Sequence, residues 1–253
     1  MLVLGLAGCG RLGFDDLYDA SLEGVPVGHD EDGDGVPDML DVCPHLPGPQ
    51  IDVDGDGVGD DCDPEPTNPR QRLLQFSAMT PDDQPATLVG AGVWTQLADA
   101  IHFDGTLSGQ VRQSGLTFQD VQVTIGADVQ AVAGGASVQH QVSLFAAFSP
   151  PQLHYFVELN ERLPSSSANV TYFDGTNYFV RASQPLANGW HTGPVELRLT
   201  QIVGVSTEMR GGWPGEMYTA IYPETLSHGG DRYQININNL VLDLRYIHIV
   251  SWQ

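Results

Sequence analysis

Between Asp30 and Asp63 the chain reads DEDGDGVPDMLDVCPHLPGPQIDVDGDGVGDDCD, twelve carboxylates in thirty-four residues with no Lys or Arg among them. Two carboxylates about 4 Å apart repel by about 4 kcal/mol at an effective dielectric near 20, so a compact form of this stretch needs positive charge from outside the chain. The net charge of −22 is concentrated here: residues 15–65 hold seventeen acids and no base, whereas residues 66–253 hold fifteen acids against nine Arg, and Lys is absent throughout. Such a balance argues against a basic patch for nucleic acid or anionic lipid and makes a metal cation the first candidate partner. The competing reading is a solvated, disordered acidic spacer.

Spacing decides between them. Asp30, Asp32, Asp34, Gly35, Asp38 and Asp41 occupy positions 1, 3, 5, 6, 9 and 12 of a twelve-residue loop, and Asp52, Asp54, Asp56, Gly57, Asp60 and Asp63 repeat the set 22 residues later. This is the oxygen-ligand spacing of calcium loops, with Gly at the sharp turn and position 7, here Val36 and Val58, offering its carbonyl. An all-oxygen set favours Ca²⁺ over Zn²⁺, which takes His or thiolate, and over Mg²⁺, which demands a rigid octahedron. Two or more ions are expected.

Helices cannot flank these loops as in an EF-hand, because Cys43-Pro44-His45-Leu46-Pro47-Gly48-Pro49 follows the first and prolines remove amide donors. At these residues the stretch resembles the thrombospondin type 3 repeat, D-x-D-x-D-G-x-x-D-x-x-D-x-C-P followed by Q-x-D-x-D-x-D-G-x-G-D-x-C-D, with Gln50, Gly59 and Cys62 in place. Gly48 stands where that family usually has Asn, and the connection to Gln50 is one residue short. The resemblance covers about thirty-five residues and implies a nearly helix-free segment wrapped on calcium.

Of three cysteines, Cys43 and Cys62 remain as a pair beside the loops. A bridge between them would stabilise the segment by about 3 kcal/mol in the chain-entropy model and would place the protein in an oxidising compartment; two free thiols are the alternative. Cys9 ends Leu6-Ala7-Gly8-Cys9, which has the pattern of a bacterial lipobox, in which the segment before Cys is cleaved and the thiol acylated. Residues 1–8 are too short for a complete signal peptide and lack a positive n-region, which suggests a coding start further upstream. Residues 9–29 read as a tether, and no apolar run approaches a membrane span. The expected location is the bacterial cell envelope, with membrane contact only through a lipid on Cys9.

Residues 64–70 form a Pro-rich linker, and 71–253 alternate with period two. Val121, Val123 and Ile125 share one face, as do Val195, Leu197 and Leu199. Further strands are expected at 72–76, 138–148, 153–159, 169–182, 217–222, 232–238 and 240–250, separated by turns such as FDGTNY and SHGGD. The fold class is mainly β: an antiparallel β-sandwich preceded by the calcium-ordered acidic segment. Trp94 followed by a hairpin-like turn at Asp104-Gly105, and a closing INNLVLDLRYIHIV strand, resemble the concanavalin-type jelly roll of laminin-G-like and legume-lectin-like domains. That resemblance implies that the first and last strands lie near one another; an immunoglobulin-like or carbohydrate-binding-module sandwich is the alternative.

The sandwich shows no catalytic signature. The alternating carboxylates of jelly-roll glycosidases are missing, and Glu158 and Glu161, three apart, would face opposite ways on a strand and read as surface charges. Neither G-x-S-x-G nor H-E-x-x-H occurs. His140 reads as a hydrogen-bonded core or rim residue. Trp213 in RGGWPGEMY and Trp190 in ANGWHTG read either as core packing, the commoner role of a lone Trp in a sandwich, or as the candidate ligand contacts, exposed rings that stack on sugars or partner side chains. The expectation is a non-enzymatic surface lipoprotein, its acidic repeats a calcium-stiffened stalk presenting a sandwich that binds polysaccharide or a cell-surface protein. A structural envelope spacer, or a polysaccharide-active enzyme, are the alternatives.

Overall fold

The computed structural model describes residues 28–83, 87–105, 107–132, 138–146, 153–162, 165–223 and 229–253. Cys9, the 1–8 segment and the tether up to Val27 lie outside the described residues. Among the described residues there is no helix, and none is long and apolar enough to cross a membrane.

Fifteen strands follow the acidic segment: β1 (Gln71–Ser77), β2 (Thr87–Gly90), β3 (Val93–Gln96), β4 (Ile101–Asp104), β5 (Ser108–Phe118), β6 (Val121–Val132), β7 (His140–Ala146), β8 (His154–Arg162), β9 (Ser165–Phe173), β10 (Tyr178–Pro185), β11 (Gly193–Ile202), β12 (Ser206–Trp213), β13 (Glu216–Tyr222), β14 (Gly230–Asn238) and β15 (Leu240–Trp252). They form two antiparallel sheets, one in the order β13-β12-β11-β6-β15-β4-β3 with β1 also on β15, the other in the order β10-β9-β8-β7-β14-β5-β2. The first and last strands pair, Gln71 opposite Trp252 and Ser77 opposite Ile247.

Alternation places the core between the sheets, as expected for half-buried strands. Val195, Leu197 and Leu199 from β11, Val121, Val123 and Ile125 from β6, and Ile235 and Ile237 from β14 all join one buried cluster. Two expectations are corrected. The 169–182 stretch is two strands, turned by Asp174, whose Oδ1 accepts from the amides of Thr176 (2.8 Å) and Asn177 (2.7 Å). After Asp104 the chain crosses from one sheet to the other instead of making a hairpin; the hairpin lies earlier, where Leu97 N donates to Ala100 O (2.9 Å) between β3 and β4.

The acidic segment does not stand free. β15 alternates core residues Leu242, Leu244, Ile247 and Ile249 with outward residues, yet outward His248 and Val250 have no exposed surface. The acidic segment covers them: Cys43, Val58 and Cys62 cluster with Val250 and Leu73, and His45 stacks on Tyr246 and His248. Arg245 Nε also pairs with Glu31 at 3.2 Å. The segment therefore lies along β15, and the expectation of a projecting stalk is corrected to a strap packed on the sandwich.

Candidate functional sites: paired acidic loops and a polar cleft

The two acidic loops are built by the same hydrogen bonds. Asp30 accepts from Gly33 N (2.8 Å) and Gly35 N (3.0 Å), and Asp52 accepts from Gly55 N (2.7 Å) and Gly57 N (2.9 Å). Asp34 accepts from Val36 N and Asp56 from Val58 N, while Asp38 and Asp60 close the loops on the amides of Glu31 and Val53. The chain can turn this sharply because Gly35 and Gly57 adopt φ of 94° and 91°, open to glycine and strained for other residues. As a result, ligand oxygens of Asp30, Asp32 and Asp34 lie within 4.8 Å of one another, and those of Asp52, Asp54 and Asp56 do the same.

At loop positions 3 and 12 the geometry leaves a demand unmet. Asp32, Asp41, Asp54 and Asp63 each bury one carboxylate oxygen without a hydrogen-bond partner. Burial pushes Asp32 up to about 6, with Asp34, Asp41 and Asp30 adding like charge against one backbone hydrogen bond. Asp63 is likewise pushed up to about 6 by burial, with Asp56, Asp54 and Asp52 adding to it. An unpartnered buried carboxylate is costly unless a cation or donor meets it, and hard oxygens at this spacing suit an ion that takes six to eight of them. The residues present fit a divalent cation such as Ca²⁺. Val58 is wholly buried at the strap's contact with β15, which fixes the second loop in place.

Each loop is also tied onward through position 5. Asp34 Oδ2 accepts from Gln50 Nε2 (3.3 Å) at the head of the second loop, and Asp56 Oδ2 accepts from the amide of Gln71 (3.0 Å), first residue of β1. Cys43 and Cys62 form a disulfide across the two loops. Together these contacts couple the acidic loops to the edge where β1 meets β15.

A second site lies on the outer face of the other sheet, beyond the core from the strap. Antiparallel register sets polar residues in a row across four strands: Asn236 opposite Ser143, Ser143 opposite Glu158, Glu158 opposite Asn169. Asn236, Ser143 and Glu158, with Gln141, Asn160 and Thr171, line a cleft of about 470 Å³. Glu158, only 4% exposed, accepts from Thr171 Oγ1 (2.9 Å), Asn169 Nδ2 (3.2 Å), Asn160 Nδ2 (3.1 Å) and Gln141 Nε2. Asn238 in turn donates to Gln141 Oε1 at 2.8 Å. Beside this polar floor stands an aromatic wall: Phe145 stacks on Phe156 (4.7 Å), Tyr178 meets Phe156 edge-on (5.8 Å) and packs on Phe173 (4.6 Å). Tyr178 is 67% exposed.

The sequence reading of Glu158 as a surface charge is thus corrected: it is the buried hub of the cleft. Glu161 lies on the other side of β8, bonded to His140 (3.0 Å) and to the amide of Trp190, so the two carboxylates do not share a site. His140 is buried and hydrogen-bonded as expected. The tryptophan candidates are also corrected. Trp213 ends β12 at a tight turn through Pro214 and Gly215, is 2% exposed, and packs edge-on to buried Trp190 at 5.3 Å. Neither ring forms a surface platform; Tyr178 does. For the cleft's floor, one strand carries a sequence signal: in HYFVELNER every second residue (His154, Phe156, Glu158, Asn160, Arg162) is polar or aromatic on one face.

No family model matches the chain, its acidic repeats included, and no curated protein matches it. Solved structures do. The exoplasmic/lumenal domain of VIP36 in a form bound to Ca²⁺ and Man3GlcNAc aligns with TM-score 0.54 at 7% identity, covering 73% of this chain and 91% of that one. Its metal-free form aligns with TM-score 0.53 at 8% identity, covering 73% and 92%. A Bacillus subtilis protein of unknown function with a galectin-like fold aligns with TM-score 0.50 at 12% identity, covering 72% and 97%. At such identities the likeness is one of architecture, and it places the two-sheet sandwich among lectin-like folds.

Proposed function

We propose that this protein is a saccharide-binding module of the bacterial cell envelope, with its ligand in the Glu158–Tyr178 cleft and its acidic strap ordered by Ca²⁺. The observation that carries the reading is the pairing of a polar floor with an exposed ring. Amides and hydroxyls oriented by a buried carboxylate suit the hydroxyls of a sugar, and the face of Tyr178 suits its apolar C–H surface. The fold-likeness to a domain solved with Ca²⁺ and Man3GlcNAc supports the same class of ligand. In this chain the acidic loops sit behind the opposite sheet, so calcium orders the scaffold and does not touch the sugar.

Binding, rather than hydrolysis, is the reading favoured by the cleft's single carboxylate. Glu158 already accepts four hydrogen bonds, and a retaining or inverting glycosidase needs a second carboxyl flanking the bond. The disulfide supports an oxidising compartment, and lipidation at Cys9 would tether the module to the membrane. A glycan array probed with the full chain in millimolar calcium tests the proposal. Saccharide binding that weakens about tenfold in Tyr178→Ala, the scale of one lost stacking contact, is the expected result. Binding to no saccharide, or binding indifferent to Tyr178, would overturn it.

A further inference from the structure

Six of the described histidines divide into two kinds. His29, His102, His140 and His191 each face a carboxylate, with nitrogen–oxygen distances of 2.8, 2.6, 3.0 and 3.2 Å to Asp38, Asp243, Glu161 and Glu216. His45 and His248 face each other instead, ring centroids 4.3 Å apart, at the contact between the strap and β15. His248 is wholly buried and both of its ring nitrogens lack a partner, as does Nδ1 of His45.

The groups packed around this pair offer a proton no counter-charge. Tyr246, also on β15, stacks on His45 at 4.9 Å and points its hydroxyl at Glu196. Phe76 from β1 lies 6.4 Å from His248. Thr124 of β6 sits opposite His248 in the ladder and leaves its own hydroxyl unpartnered. From β11 comes Arg198, a fixed cation whose Nε is buried and unpartnered; Glu196, on the same strand, is engaged by Arg198 at 3.3 Å and by the Tyr246 hydroxyl. A charged imidazole here would be desolvated, face a second imidazole and meet a guanidinium.

We propose that His45 and His248 form a proton-operated latch: as neutral rings they hold the strap against β15, and protonation releases the strap while the sandwich stays folded. The sign follows from burial. Burial, reinforced by Arg198, pushes His45 down to about 3, and burial, reinforced by His45, holds His248 well below the usual imidazole range. Once the strap lifts, both rings regain water and an ordinary value near 6.5. The docked form is therefore fully favoured above pH ~6.5 and loses ground as pH falls toward the docked values, by up to about tenfold per pH unit for each ring and about a hundredfold for both. Release uncovers Val250 and Leu73, which the strap's Cys43, Val58 and Cys62 otherwise cover.

The test is an NMR titration of the full chain labelled with ¹⁵N, from pH 7.5 to 4, in saturating calcium. Histidine ring nitrogens report protonation, and backbone amides report docking. The expected result is one cooperative step in which His45 and His248 take up about two protons together, the amides of residues 30–63 shift with them, and those of β9 and β10, which carry no histidine, do not shift in that step. In His45→Phe, which keeps the stack and cannot be charged, the step moves to lower pH with about half the proton uptake; His45→Leu serves should Phe fail to fold. The proposal is overturned if His248 stays neutral and the strap amides stay put to pH 4, if the whole sandwich unfolds in the same step, or if His45→Phe releases at the wild-type pH. None of these outcomes depends on whether the cleft binds saccharide.

Discussion

Replacing Cys43 and Cys62 by alanine isolates what holds the strap. The bridge closes a loop with a sequence separation of 19, for which the chain-entropy model gives about 3 kcal/mol at 25 °C. The strap's contacts with the sandwich are few, among them Cys43, Val58 and Cys62 on Val250 and Leu73, His45 on Tyr246 and His248, and Glu31 on Arg245. The loops present their carboxylates to a cation only when folded, so a strap disordered without metal transfers the cost of ordering it to ion binding. At about 1.4 kcal/mol per decade, the calcium affinity of Cys43→Ala/Cys62→Ala falls about a hundredfold. Extracellular calcium modules commonly bind at about 10⁻⁴ to 10⁻³ M, so the variant binds at tens of millimolar and titration calorimetry at millimolar calcium records almost no heat. The sandwich's own thermal transition stays in place. An affinity within twofold of wild type would refute the reasoning, for it would mean the loops are ordered without the bridge.

Other consequences are as direct. Glu158→Ala leaves four donors at the cleft floor facing nothing, and is expected to lower unfolding stability by about 2–4 kcal/mol with loss of saccharide binding, read by denaturant titration and glycan binding. Gly126→Ala puts a Cβ 2.1 Å from the Tyr246 ring; overpacking of this kind costs about 1–3 kcal/mol and, by displacing the ring under His45, loosens the strap, which faster amide exchange in residues 42–50 would register. Chelating calcium at pH 7.5 is expected to disorder residues 30–63 while the sheet circular dichroism persists; a chelator that leaves amide exchange in that segment unchanged would count against metal ordering.

Much of this was legible in the sequence, for reasons that differ by region. The acidic loops were readable because their ligands come from one short stretch at fixed spacing, and β11 and β14 because inward residues alternate cleanly with outward ones. β5 and β12 were not: Gly109, Gly115, Gly211 and Gly212 interrupt their patterns, and glycine is a weak strand former. β9 and β10 merged into one expected strand although Asp174-Gly175 between them carries turn chemistry. The cleft was illegible because Gln141, Glu158, Thr171 and Asn238 meet only through register across four strands. Trp213 misled because its Gly/Pro surroundings suggest a loop, whereas pairing with Glu216 turns the ring inward. One missed signal concerns the strap: YIHIV in β15 is apolar or aromatic at nearly every position, the pattern of a strand covered on both faces.

The central claim, that divalent ions organise the acidic loops on the back of a lectin-like sandwich, is tested most directly by anomalous diffraction from crystals grown in millimolar calcium. The account predicts density in each loop within 2.3–2.6 Å of the carboxylate oxygens of Asp32 and Asp41 in the first and of Asp54 and Asp63 in the second. Anomalous peaks absent from both loops, with the strap still folded along β15, would contradict it.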